Sequence, residues 1–147
     1  VRDPKNLEAR GGMSLAATLG GLAFSNCGVA LAHALEYPIG ERYKCTQGAG
    51  NGIVLPEVMR YLANAKGDRM AKIGELLGVV ASSEAAIEEV TRLRREAGLP
   101  ECLCDVGAVP NDLAALAATA ASLKRLMALS PISPSEADLR RILEASF

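Results

Sequence analysis

His33, the one histidine in the chain, has the widest chemical reach of any residue in it. Near neutral pH an imidazole passes a proton, shares a hydrogen bond or binds a metal through a ring nitrogen. It lies in an apolar stretch, four residues before Tyr37, so on a helix the two side chains share a face. A lone histidine on such a face more readily fits a hydrogen-bonded residue at the core boundary than a ligand, and composition leaves both readings open. The run Gly48-Ala49-Gly50-Asn51-Gly52 opens a helix, whose first backbone N–H groups can hold an anion. No strand precedes it, so close helix packing or a turn explains these glycines better than a phosphate loop does. Cys102 and Cys104 are two apart, with no CxxC and no second Cys/His pair nearby. They are expected to be incidental thiols rather than a zinc or redox site. No Ser/His/Asp or Cys/His nucleophile set is recognisable, and Asp105 and Asp112 have no evident partner.

The elements that would carry these residues read as helices nearly throughout. Met13, Ala16, Ala17, Gly20, Phe24 and Cys27 follow three-four spacing, predicting a buried helix that Asn26 and Gly28 end. A short helix over residues 29–36 follows, stopped by Pro38. Residues 51–63 predict a third helix with Pro56 inside. A fourth, capped by Asp68 and carrying Ile73 and Leu76, ends at Gly78. Ser82 or Ser83 opens a fifth, with Ile87, Val90, Leu93 and Ala97 inward, Glu88 paired with Arg92, and Gly98 as the cap. Residues 111–129 predict a sixth. Ser133 and Glu136 predict a capping box for a seventh, with Pro134 at its first position and Leu139, Ile142 and Leu143 on its inner face. No segment alternates with period two. The expectation is one all-α bundle of about seven helices over residues 1–147.

Composition narrows the function classes. At 147 residues, 50% hydrophobic and 3% aromatic, the chain has a core for one domain. Sixteen basic against seventeen acidic residues give a net charge of −1, which argues against nucleic acid. Four cysteines are too few for a disulfide scaffold and fit a reducing, cytoplasmic setting. Residues 11–35 carry no Asp, Glu, Lys or Arg and are long enough to span a bilayer. Ser25, Asn26 and His33 within them make a buried helix followed by a break the better reading. The first residue is Val rather than Met, as in a processed chain or a piece of a longer one.

Phe24-Ser25-Asn26-Cys27-Gly28, then Leu31, His33-Ala34 and Tyr37-Pro38-Ile39-Gly40 resemble the AFSN-x-G-x-x-L-x-HA-x-x-HP-x-G signature of iron-containing (group III) alcohol dehydrogenases. Gln47-Gly48, Asn51, Leu55-Pro56 and Val58-Met59-Arg60-Tyr61 resemble the family's following HG-x-x-NA-x-LLP-x-VM-R-[FY] segment at matching spacing. Residues 129–143 resemble its C-terminal NPRPLTEEDL-x-x-IL.

The resemblance implies the family's C-terminal helical domain, without its nucleotide-binding α/β domain. In the intact family a divalent metal, iron or zinc, polarises an alcohol or carbonyl oxygen while NAD(P) exchanges hydride. One Asp and three His hold the ion. The Asp and the first His belong to a helix upstream of the matched segment. His33 matches the third ligand and Gln47 the fourth, a departure from His. Tyr37 stands where the family usually has a further active-site His, and Phe24 matches an aromatic lining the substrate pocket. An amide oxygen binds a divalent ion more weakly than imidazole. The resemblance therefore implies oxidoreductase ancestry, little or no tight metal on this chain, and no dehydrogenase activity from it alone. The implied partner is a nucleotide-binding domain or a second copy of the chain, with no nucleic acid and no membrane. The alternative is a stand-alone, non-catalytic helical binding or oligomerisation module.

Overall fold

A computed structural model describes residues 2–147. It is all-α: seven α-helices, two short 3-10 turns and, among the described residues, no strand. Asn6 starts α1 (Leu7–Cys27) by accepting the Ala9 N–H, and Gly28, at φ +77°, ends it. α2 (Leu31–Tyr43) and α3 (Gln47–Leu76) follow. α4 (Ser83–Glu96) begins at Ser82, which accepts the Ala85 N–H. Two 3-10 turns, Leu103–Val106 and Pro110–Asp112, lead to α5 (Leu113–Ser122), α6 (Lys124–Ala128) and α7 (Glu136–Ala145).

The core is built on α2. Leu31, Leu35 and Ile39 are fully buried among Ile53 and Val54 of α3, Leu116 and Ala120 of α5, and Leu139 and Leu143 of α7. A smaller cluster of Met59, Met70, Ala86 and Ile87 joins α3 to α4. Asp112 ties the α5 start to α2, accepting the Tyr43 hydroxyl at 2.6 Å and Arg42 Nε at 2.9 Å. Both donors hold its carboxyl below the usual carboxylate range. The expectation of an unpartnered Asp112 is thereby corrected, because its partners lie 69 and 70 positions away.

Several boundaries differ from the sequence reading. Pro38 does not stop α2, which runs on to Tyr43. A proline inside a helix costs about 3 kcal/mol, but burial of Leu31, Leu35 and Ile39 along the same face offsets it. The predicted third and fourth helices form one long element, bent not at Pro56 but at Lys66 (φ −135°, ψ 37°). Asp68 therefore caps nothing, and Ile73 and Leu76 are exposed while Met70 and Gly74 face inward. Leu123 breaks the predicted sixth helix into α5 and α6. The capping box of α7 is Ser135 with Asp138, two positions beyond Ser133 and Glu136. On α4, Leu93 and Ala97 are exposed, and Arg92 pairs with Glu89 and Glu96 rather than Glu88.

The largest correction is α1. It was expected to be buried, yet none of its 21 residues is. Leu7, Met13, Leu15, Leu19, Leu22 and Phe24 are each more than half exposed. No described helix covers the face that their spacing defines. Among the described residues no single helix is long and apolar enough to cross a membrane, and α1 with α2 meets that test only as a pair bent by 107°.

Candidate active site

The bend at Gly28 lays the end of α1 across the start of α2. Gly28 holds φ +77°, which favours glycine, and a Cβ there would lie 2.7 Å from Leu129 Cδ1, so the Leu129 side chain would have to shift for a larger residue. Between them opens a cleft of about 780 Å³. Its walls include Phe24 and Asn26 from α1, His33 and Tyr37 from α2, Gln47 at the start of α3, and Arg125, Leu126 and Leu129. All four residues singled out in the sequence thus face one space.

His33 is half-buried, its ring edge-on to Tyr37 with centroids 6.2 Å apart at 87°. Burial lowers its pKa from the ordinary 6.5, which keeps the imidazole neutral at pH 7 and able to accept or donate one proton. Gln47 is exposed as the first residue of α3. Thr46 caps that helix by accepting the Ala49 N–H, and the Gln47 carbonyl accepts from Asn51 Nδ2 at 3.0 Å. Asn26 Nδ2 turns back to the Leu22 carbonyl at 2.7 Å. Sequence reasoning missed Arg125 and Leu126, which reach the cleft only because Leu123 breaks the chain direction after α5.

A divalent ion needs more than these residues offer. The cleft presents one imidazole, the amides of Gln47 and Asn26, the Ser25 hydroxyl and the Cys27 thiol, which turns back to the Ala23 carbonyl at 3.1 Å, and no carboxylate lines it. Its one lining side chain with a fixed charge, Arg125, is a cation. Hard or borderline divalent ions take anionic or several imidazole donors. The residues of this chain alone therefore do not fit a tightly held ion. Cys102, Cys104 and Asp105 also place ligand atoms within 4.8 Å of one another, but the two sulfurs are bonded to each other. That disulfide corrects the reading of the pair as incidental thiols: a turn around buried Leu103 brings both sulfurs to one side.

Glu36 is the acid nearest His33 in sequence, and it does not reach the cleft. It is 3% exposed and lies where α2 meets the start of α3. A Cβ on Gly40 would be 2.6 Å from its Oε1, and one on Gly50 would be 2.8 Å from its Cγ. Within the 48–52 run, Gly50 thus makes room for this side chain, and Gly52 lies against Arg94 and Leu99. Glu36 Oε2 has no hydrogen-bond partner, and burial raises its pKa above the ordinary 4.5. A carboxyl whose pKa is raised on folding binds its proton more tightly in the folded chain. Its contribution is complete below pH 4.5 and is lost as pH rises through the raised value. Glu36→Gln is therefore expected to stabilise the chain at pH 8 by about 1 kcal/mol, with the gain vanishing toward pH 4. Urea unfolding at the two pH values reads this directly, and an equal effect at both would remove ionisation as the cause.

Comparison with known proteins decides the family. A sequence profile described as "Fe-containing alcohol dehydrogenase family, C-terminal" matches residues 1–147. The chain belongs to the iron-containing alcohol dehydrogenase family. It is 38% identical to long-chain-alcohol dehydrogenase 1 of Geobacillus thermodenitrificans (strain NG80-2), over all of this chain and 39% of that protein. It is 37% identical to lactaldehyde reductase of Escherichia coli (strain K12), over 74% of this chain and 30% of that protein. A crystal structure of 1,3-propanediol oxidoreductase superposes with a TM-score of 0.91 at 31% identity, covering 97% of this chain and 39% of its own. This member of the family thus spans about two fifths of the length of its full-coverage relatives.

Proposed function

We propose that the chain forms the metal- and substrate-side helical wall of an NAD(P)-dependent oxidoreductase that interconverts alcohols and aldehydes. The convergence of Phe24, His33, Tyr37 and Gln47 on one cleft, in a chain of this family, carries the reading. In it, neutral His33 meets the alcohol or carbonyl oxygen, as a hydrogen-bond partner or as one ligand of a set completed outside this chain. The Tyr37 phenol lies beside it and limits how the imidazole ring turns. Phe24, Leu126 and Leu129 give the cleft an apolar side for the carbon chain of the substrate. Gln47 offers an amide at the mouth. Hydride transfer also needs a nicotinamide held against the substrate, and these helices supply no strand–turn–helix for its phosphates. The expected result is alcohol-dependent reduction of NAD(P) by an intact polypeptide or a reconstituted pair of domains, and none by the 147-residue chain alone. Turnover by the chain alone would overturn this division of labour.

A second reading, a stand-alone oligomerisation module, draws support from α1. Its exposed leucines, Met13 and Phe24 form an apolar surface that association would bury. At roughly 25 cal/mol per Å², a few hundred Å² contributes several kcal/mol before association costs. Light scattering is expected to report a dimer or larger assembly, and a monomer at high concentration would remove this reading.

A further inference from the structure

Cys102 and Cys104 are joined by a disulfide with only Leu103 between them. So small a ring takes little freedom from the unfolded chain, because the entropy removed grows with the number of residues enclosed. Other contacts hold the turn. Leu103 is fully buried in the core. Its N–H donates to the Ser146 carbonyl at 2.9 Å, and its own carbonyl accepts the Ala108 N–H at 3.0 Å. Asp105 Oδ2 accepts the N–H groups of Glu101 at 2.8 Å and Cys102 at 3.1 Å. These contacts keep the sulfurs side by side whether or not they are bonded. Cys104 is exposed and Cys102 partly so, and the disulfide shares no lining residue with the His33 cleft.

We propose that Cys102 and Cys104 form a reversible dithiol/disulfide couple that exchanges with external dithiols, rather than a structural cross-link. A thiolate of the external dithiol attacks Cys104 Sγ, the more accessible sulfur, and forms a mixed disulfide. The Cys102–Cys104 bond breaks, and Cys102 Sγ leaves as a thiolate that accepts the Asp105 backbone N–H, its hydrogen-bond partner in the turn, and then a proton. The second thiolate of the external dithiol attacks the mixed disulfide and releases Cys104, which is protonated in turn. Two electrons and two protons pass to the protein; the external dithiol becomes a disulfide and Cys102 and Cys104 become thiols.

The test counts iodoacetamide adducts on the folded full chain by mass spectrometry with peptide mapping, after treatment with oxidised glutathione and again after dithiothreitol. The expected result is a gain of two adducts on reduction, both mapped to Cys102 and Cys104 and reversed by reoxidation. Helicity should be unchanged and the melting temperature should move by less than about 3 °C. The double variant Cys102→Ser/Cys104→Ser should show no redox-dependent difference and should melt with the parent. The proposal is overturned if the two cysteines are alkylated equally in both states, if they become reducible only after unfolding, or if reduction lowers the melting temperature by on the order of 10 °C, which would mean that the disulfide, and not the turn's other contacts, holds the segment.

Discussion

Leu35→Ala is expected to cost about 3–4 kcal/mol, among the largest effects a single substitution can have in this chain. Leu35 is completely buried at the centre of the cluster that joins α2 to α3, α5 and α7, so its removal leaves a cavity with packed helices on every side. A domain of this size has about 5–15 kcal/mol in total. The loss should lower the melting temperature by on the order of 10 °C and loosen the helix that carries His33 and Tyr37. Leu19→Ala on α1, where the side chain is 57% exposed, should cost no more than about 0.5 kcal/mol in the same chain. Thermal unfolding followed by circular dichroism separates the two. Comparable losses would mean that α1 belongs to the core.

The second large effect is expected at His33. In an intact oxidoreductase containing this domain, His33→Ala should lower kcat/KM by about a hundredfold or more, with helicity and melting temperature unchanged. The imidazole is the cleft's one nitrogen base, and it is half-buried at the inner wall, where replacement removes function without opening the core. Gln47→Ala should cost less than about tenfold, because an exposed amide at the mouth contributes a weaker contact. Phe24→Ala should act through KM, since its ring offers apolar surface and no reactive atom. Steady-state kinetics on the three variants give the order. Equal losses at Gln47 and His33 would place the reacting oxygen nearer the mouth.

Much of this was legible from residue types. Gly28, Gly78 and Gly98 end helices as their type predicts, each at positive φ. Ser82 caps α4, and Leu139, Ile142 and Leu143 face inward. These signals are local, and the structure keeps them. The misread features depend on what lies across the fold. Pro38 sits inside a helix because residues distant in sequence bury its neighbours. Asp112 finds Arg42 and Tyr43 only after α5 docks on α2. Leu93 and Ala97 fall off the inward line of α4, which runs through Ala86, Ile87, Val90, Thr91 and Arg94, the last donating to the Gly52 and Ile53 carbonyls of α3. The bend at Lys66 is followed directly by Gly67, a helix-weakening signal that the sequence reading did not use. In the cleft, Phe24, His33, Tyr37 and Gln47 came from the resemblance to the family's signature, whereas Arg125 and Leu126 required the position of α6. The buried Glu36 left one trace in the sequence, an acid set between Leu35 and Pro38 in an otherwise apolar stretch, with Gly40 and Gly50 nearby to make room for it.

That the cleft carries only part of a metal-binding set is the claim most open to direct measurement. The chain, with Cys102 and Cys104 joined and no thiol reductant added, is loaded anaerobically with iron(II) or zinc, dialysed and analysed for metal. The account predicts far less than one ion per chain, with Gln47→His raising retention only modestly, because two neutral rings beside Arg125, with the Cys27 thiol turned back to the Ala23 carbonyl, still lack the carboxylate that would complete a set for a divalent ion. One ion retained per chain, and lost on His33→Ala, would contradict it.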